Sequence, residues 1–270
     1  MRVPWRGAEW PRGSCILHPD KNDLNYLVSG DSISRGVVFD EQQGKYAVLD
    51  SCFVSLVQTR LKGLVSNVSR FGSTLLRGIG KLSKDIAKDQ PDVVLIEYGG
   101  NDCDFVWKEI AAYPLEPHQP QTDLAVFEDT LTKTVASLKE QDIEPVLMSL
   151  PPLNADSYIK WVSQQDPVVE DNIMKWLGSV TKIYWWQERY SAAIVRVAES
   201  TKTKWIDIRG AFLRLPDFSE LICRDGIHPN QAGHQLMAQT IVAYLEKNFS
   251  RLLSDAPMLG TMENPVSQIV

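Results

Sequence analysis

Three residues of this chain have the side-chain types needed to open an acyl bond: Ser32, Asp225 and His228. Ser32 stands in Val28-Ser29-Gly30-Asp31-Ser32-Ile33-Ser34, where a short apolar run, Tyr26-Leu27-Val28, breaks off at Gly-Asp-Ser. A hydroxyl just past a strand tip is placed to act as a nucleophile. It then needs a base, a group that orients the base, and donors for the oxyanion that forms. Histidine is the usual base at neutral pH, and the chain has four. His18 and His118 sit among prolines, and His234 lies inside a helical pattern, where a packed or surface role is expected. His228 follows a strand-like run and precedes Pro229. Asp225 lies three residues earlier, so one tight turn brings its carboxylate to Nδ1 and leaves Nε2 for Ser32. A further block, Gly99-Gly100-Asn101-Asp102, follows the apolar run 93–98 and offers a side-chain amide.

These residues are far apart in sequence, so the fold must gather them. Short apolar runs at 24–28, 64–68, 93–98, 145–150 and 204–208 read as strands, the third buried on both faces. Between them lie helical stripes. Residues 45–60 carry Tyr46, Leu49, Cys52, Phe53, Leu56 and Val57 on one face, and 75–88 carry Leu75, Ile79, Leu82 and Ile86. A helix capped by Thr122 or Asp123 carries Leu124, Phe127, Leu131, Val135 and Leu138. Residues 172–200 read as one long helix and 230–249 as the last. Strands alternating with helices imply parallel pairing with right-handed crossovers. The expected fold is therefore α/β: a three-layer α/β/α sandwich on a five-stranded parallel sheet. Ligands in such sheets bind beyond the carboxyl ends of the strands. Ser32, Gly72, Asn101 and the 225–228 segment all follow predicted strands, so one rim should hold them all. Residues 1–23 read as an N-terminal extension, 24–250 as the domain and 251–270 as a tail. Residues 106–121, with Pro114, Pro117 and Pro120, and residues 153–170 read as loops.

Gly30-Asp31-Ser32-Ile33, Gly72, Gly99-Gly100-Asn101-Asp102 and Asp225-Gly226-Ile227-His228 resemble the blocks of the SGNH hydrolases, the GDSL esterase/lipase family, in the family's order and over roughly residues 24–248. The resemblance implies a flavodoxin-like sandwich and cofactor-free ester hydrolysis through a Ser-His-Asp triad and an acyl-enzyme. It makes Ser32 the nucleophile and the first oxyanion donor, through its backbone N–H. Gly72 would be the second donor and the Asn101 amide the third. The middle block holds two candidates, Asn67 and Gly72; the glycine suits close backbone approach to a ligand better. The family spans carbohydrate esterases, lysophospholipases and thioesterases. The expected substrate is a small acyl ester such as an O-acetylated carbohydrate, the alternative a lysophospholipid or an acyl thioester. An apolar cleft among residues 106–121 and 153–190 would favour the alternative.

Composition bounds the partners. The 270 residues are 44% hydrophobic and 23% charged, with net charge −6, which disfavours nucleic acid and anionic membranes. No run approaches the roughly 18–20 apolar residues of a membrane span, and no signal peptide is read at the N-terminus, so a cytoplasmic location is expected. A homo-oligomer is compatible with the sequence. Cys15, Cys52, Cys103 and Cys223 form no Cys-x-x-Cys pair and read as reduced thiols that pack; no metal or cofactor is expected. Asp31 should hold its turn, Asp102 should order its loop, Asp104 should be a solvated loop charge, and Arg35 and Arg70 should serve the surface. Trp161, Trp176, Trp185 and Trp186 read as packing, or else as a substrate wall. A flavodoxin-like module that only binds would have no use for Asp225 and His228, and shows neither Gly-x-Gly-x-x-Gly nor a P-loop. The Gly-x-Ser-x-Gly elbow of α/β-hydrolases is absent around Ser32.

Overall fold

Leu24, Tyr26, Leu27 and Val28 give strand β1 (Leu24–Gly30) its apolar body, and the strand is buried along nearly its whole length. The structure is a computed structural model that describes residue 21 and residues 23–256. From β1 the chain enters the short helix α1 (Ser32–Arg35), an antiparallel hairpin of β2 (Val37–Asp40) and β3 (Lys45–Val48), and α2 (Phe53–Gln58). It continues through β4 (Gly63–Asn67), α3 (Leu75–Asp89), β5 (Val93–Glu97), α4 (Trp107–Ala112), α5 (Leu124–Glu140) and β6 (Glu144–Met148). Helices α6 (Ala155–Val162), α7 (Pro167–Leu177) and α8 (Thr181–Thr201) then lead to β7 (Lys204–Ile206), α9 (Ile208–Leu213) and α10 (Gln231–Phe249).

Five strands form one parallel sheet in the order β4-β1-β5-β6-β7. Successive side chains on a strand point to opposite faces, and the two cores follow that alternation. Leu27, Val94, Ile96 and Leu147 meet α3, α5 and α8 on one face, through Leu82, Phe127, Leu131, Val135, Tyr190 and Ile194. Val28, Met148 and Ile206 meet α2, α9 and α10 on the other, through Phe53, Val57, Phe212, Met237 and Ile241. This is the expected three-layer α/β/α sandwich. β1 is followed by β4 on one side and β5 on the other, so the order reverses at the β1/β5 seam. A crevice opens beyond the strand ends at such a seam.

Several local expectations are corrected. The 45–60 stripe is not one helix: 45–48 is the second strand of a hairpin, and only 53–58 is helical. Asp40 accepts from the backbone N–H groups of Gln42 and Gln43, and Gly44 adopts φ +63°. That turn chemistry overrides a coincidental helical spacing. The long helix read over 172–200 is two, α7 and α8, because Gly178 takes a left-handed φ of +75° and caps α7. α7 starts at Pro167 behind Asp166, whose side chain accepts from Val168 and Val169 N–H. Residues 106–121 and 153–170 are not loops throughout, since they hold α4, α6 and the start of α7. The prolines that suggested a loop fall after α4 has ended. α4, α6 and α7 build a third core from Phe105, Trp107, Ile110, Tyr158, Ile159 and Ile173. The segment 251–254, read as part of a tail, packs on the domain. Leu252 and Leu253 are buried, and Lys62 N–H donates to Leu252 O. Residues 1–20, 22 and 257–270, with Cys15 and His18, lie outside the described residues.

Candidate active site

Ser32 is the first residue of α1, directly behind the β1 tip. Asp31 caps that helix, its Oδ1 accepting from Ile33 N–H at 2.9 Å, so it holds the turn as expected. Glycine is needed at position 30: a Cβ there would stand 2.8 Å from Glu97 O and Ser34 Cβ. Asp225 and His228 lie in a tight turn before α10. Asp225 Oδ1 accepts from the backbone N–H groups of Ile227 and His228 at 3.0 and 3.1 Å, and Oδ2 is 2.5 Å from His228 Nδ1. Burial raises the Asp225 pKa, but these bonds outweigh it and hold the carboxyl below its usual range. His228 Nε2 is 2.8 Å from Ser32 Oγ. All three side chains are buried. The chain thus forms a line from carboxylate to imidazole to hydroxyl, in which an Nδ1–H donated to Asp225 leaves Nε2 free to accept from Ser32.

The turn is clamped from outside. Gly226 has φ +82°, Asn154 N–H donates to its carbonyl at 2.7 Å, and a Cβ at 226 would stand 2.5 Å from Tyr158 N. Aromatic rings enclose His228. Tyr46 packs edge-on at 5.3 Å between centroids and Phe71 lies stacked at 6.3 Å. Trp161 packs on Tyr46 and Phe39. The Tyr46 hydroxyl faces Asp225; burial first, and then that carboxylate, push its pKa up. Tyr46 belongs to the hairpin mistaken for helix, so its place beside the site had no sequence signal.

Asn101 follows β5 across the seam from Ser32. Its amide donates to Asp31 Oδ2 at 3.0 Å and to Ser73 O at 3.3 Å. Asp102 orders the loop as expected: it accepts from Leu75 N–H at the start of α3 at 3.0 Å and from Thr122 Oγ1 at 2.7 Å. Gly72 lies in the turn after β4, where Arg70 N–H donates to Gly30 O at 3.1 Å. Its φ is +66° and nothing lies within 4 Å of an added Cβ, so the demand for glycine there is conformational. Asn67, the other middle-block candidate, has its amide engaged with Ser34 O at 2.8 Å.

A cavity of about 310 Å³ opens beside Ser32, Asn101 and His228. Phe105, Trp107, Leu153, Trp176, Ile183 and Trp186 wall it, with Asp104, Lys182 and Gln187 among the polar groups. Gly72 and Asp225 are not among the lining residues. Two of the four clustered tryptophans, Trp176 and Trp186, therefore face the cavity, while Trp161 packs on Tyr46 and Phe39 and Trp185 is exposed. Asp104 is not a solvated loop charge. It lines the cavity, and its Oδ1 accepts from Trp107 Nε1 at 2.8 Å and Tyr158 OH at 2.7 Å. Burial raises its pKa against those bonds. The sequence signal available was Trp107 three residues on, but Tyr158 arrives from a helix read as loop.

The remaining candidates have other work. Cys103 is buried, donates to Gly100 O and has its thiol pKa pushed well up by burial, so it packs rather than reacts. His234 stacks on Phe53 inside the domain, and His118 is half-buried, with Nε2 2.9 Å from Tyr113 O and its ring packed on Trp176. Arg70 pairs with Asp85 at 3.4 Å. Among the described residues, no group of three His, Cys, Asp or Glu side chains could hold a metal ion.

The model of the GDSL-like Lipase/Acylhydrolase family matches residues 28–236. A GDSL esterase/lipase of Oryza sativa subsp. japonica, WDL1, is 24% identical over 230 residues, 82% of this chain and 77% of its own. An acetylxylan esterase of Geobacillus stearothermophilus is 24% identical over 227 residues, 80% of this chain and 91% of its own. Among solved structures, a lipase/acylhydrolase from Enterococcus faecalis superposes with TM-score 0.60 at 20% identity, covering 87% of this chain and 99% of that one.

Proposed function

The chain belongs to the GDSL-like lipase/acylhydrolase family and is a carboxylic ester hydrolase, and from that premise we propose that Ser32, His228 and Asp225 hydrolyse small acyl esters through an acyl-enzyme. The observation that carries this reading is the contact of His228 Nε2 with Ser32 Oγ at 2.8 Å, backed by Asp225 on Nδ1 at 2.5 Å. Ser32 Oγ attacks the ester carbonyl as Nε2 takes its proton. Asp225 orients the imidazole and stabilises the imidazolium that results. The oxyanion is received by the Ser32 and Gly72 backbone N–H groups and the Asn101 amide. Of the two Asn101 contacts, the 3.3 Å bond to Ser73 O is the longer, and it is the one exchanged for the oxyanion. The tetrahedral intermediate collapses, the alcohol leaves with the proton from His228, and Ser32 keeps the acyl group. Water then attacks the acyl-enzyme, giving its proton to Nε2, and Nε2 returns that proton to Ser32 Oγ as the acid is released.

The cavity supports a hydroxyl-bearing ring as the alcohol part, such as an O-acetylated carbohydrate. Indole and phenyl faces suit sugar rings. Asp104 at the wall is a half-buried carboxylate, costly beside an aliphatic chain but satisfied by a hydroxyl that donates to it. The apolar walls around it favour a second reading, an acyl chain of medium length carried as an ester or thioester. A series of p-nitrophenyl esters, run beside acetylated sugars and acyl thioesters, separates the two. A maximum at acetate with turnover of acetylated sugars is expected; a maximum at eight carbons or more would give the second reading the site. Ser32→Ala should lose both hydrolysis and labelling by a fluorophosphonate, and continued labelling of that variant would sink the proposed nucleophile.

A further inference from the structure

Behind Ser32 the structure buries two carboxyl groups against each other. Asp31 and Glu97 are both buried, and their carboxyl groups lie close enough for each to perturb the other. Glu97 ends β5, beside Gly30 in the register of the β1/β5 pair. Glu97 Oε2 accepts from Ser34 Oγ at 2.8 Å and from Ser34 N–H at 3.2 Å. Glu97 Oε1 is buried with no donor facing it. Asp31 has a donor on each oxygen: Ile33 N–H reaches Oδ1 and the Asn101 amide reaches Oδ2. Two buried carboxyl groups facing each other do not both ionise, and one proton kept between them lets them hydrogen-bond. The donors arriving at Asp31 favour its ionised form. The oxygen without a donor, Glu97 Oε1, is therefore the one that carries the proton.

We infer that Glu97 is a positioning residue that acts as a neutral acid: it donates to Asp31, and Asp31 in turn holds one hydrogen of the Asn101 amide so that the other is aimed at the oxyanion. This rests on the proposed roles of Ser32 and Asn101. The link joins the ends of β1 and β5, the two strands that flank the crevice. It also accounts for a glutamate at a place where the strand is otherwise apolar, Val93-Val94-Leu95-Ile96. Burial and the neighbouring Asp31 charge both raise the Glu97 pKa, which keeps the proton in place at neutral pH. The other titratable groups facing the pair are the Tyr98 hydroxyl, just past β5, and, facing Asp31, His228, Asp102 and Cys103.

The experiment compares Glu97→Gln and Glu97→Leu with the native enzyme on p-nitrophenyl acetate across pH, with Ser32→Ala as control. Gln supplies the same donor, so kcat near pH 7 should stay within about threefold of native, a small part of one buried hydrogen bond. Leu supplies none, and kcat should fall roughly 10–100-fold at unchanged KM. The native enzyme should lose kcat at alkaline pH as Glu97 gives up its proton, and Glu97→Gln should not. Infrared difference spectra of the native protein with ¹³C-labelled glutamate should contain a protonated carboxyl band at pH 7 that Glu97→Gln lacks. A native protein without that band, a Gln variant as impaired as the Leu variant, or a Leu variant with native kcat would each overturn the inference. Activity surviving in Ser32→Ala would instead unseat the underlying assignment of the nucleophile.

Discussion

At the scale of single residues, the site works by placing hydrogen-bond partners so that each group has one task. Asp225 spends one oxygen on its own turn and the other on His228, which leaves the imidazole one orientation. Asn101 donates to Asp31 at 3.0 Å and more loosely to Ser73 O at 3.3 Å, the contact that the proposed oxyanion would replace. Replacing Asn101 by alanine should lower kcat roughly 100–1000-fold, the usual cost of one oxyanion donor. Thermal unfolding should show that variant still folded, and native turnover would remove Asn101 from the site. Asp104→Asn keeps an acceptor for Trp107 and Tyr158 but removes the charge. KM for an acetylated sugar should rise about 10-fold, as for a hydrogen bond to a charged group, with p-nitrophenyl acetate little changed. Equal effects on both substrates would leave Asp104 with a structural role alone. At this scale the sequence was most readable, because Gly-Asp-Ser, Gly-Asn-Asp and Asp-x-x-His are local and their chemistry depends on residue type. Asp104 was misread because its donors lie on two other elements.

At the scale of elements, each functional group stands at a junction. β1 delivers Ser32 into α1, β5 delivers Asn101, and the turn before α10 delivers His228. The last of these is seated on the N-terminus of α6, where Gly226 touches Asn154 and Tyr158. Gly226→Ala combines a left-handed φ with a backbone clash and should cost roughly 1–3 kcal/mol in strain. The turn should shift, so fluorophosphonate labelling of Ser32 should slow while circular dichroism stays native. Unchanged labelling would show that the clamp does not set the triad. The strands and the helices α3, α5 and α10 were legible because their apolar periods are long. The hairpin was not: four-residue strands carry too little period to compete with a chance helical spacing, and only the Asp40–Gly44 turn decides. Gly178, in the same way, divides a continuous stripe that reads as one helix.

At the scale of the whole molecule, stability is linked to pH through buried titrating groups, among them His234 and Asp102. His234 lies in the core under α2, and burial lowers its pKa from 6.5 to about 4. As pH falls below 6.5 the unfolded chain takes up a proton that the folded chain refuses. Stability is therefore full above that pH and is lost on acidification, by about 2 kcal/mol at pH 5. Burial raises Asp102 from 3.8 to about 6, so here the folded chain holds the extra proton between those values. Its contribution grows as pH falls through that window and opposes part of the loss, by about 1 kcal/mol at pH 5. Urea unfolding at pH 7 and pH 5 should therefore show His234→Gln losing about 2 kcal/mol less than the native protein on acidification. Identical losses would mean that His234 titrates alike in both states.

The sequence by itself determined which residues could react, their order along the chain, and the class of fold that brings strand ends to one rim. These are properties of residue type and local period, which survive without coordinates. The tertiary structure alone decided what surrounds them: the rings around His228, the carboxylate of Asp104 in the cavity wall, and the acid pair behind Ser32. Each of those depends on contacts between segments tens to hundreds of residues apart. Burial, which turns an ordinary carboxyl into a proton-sharing one, exists only once those segments have closed over it.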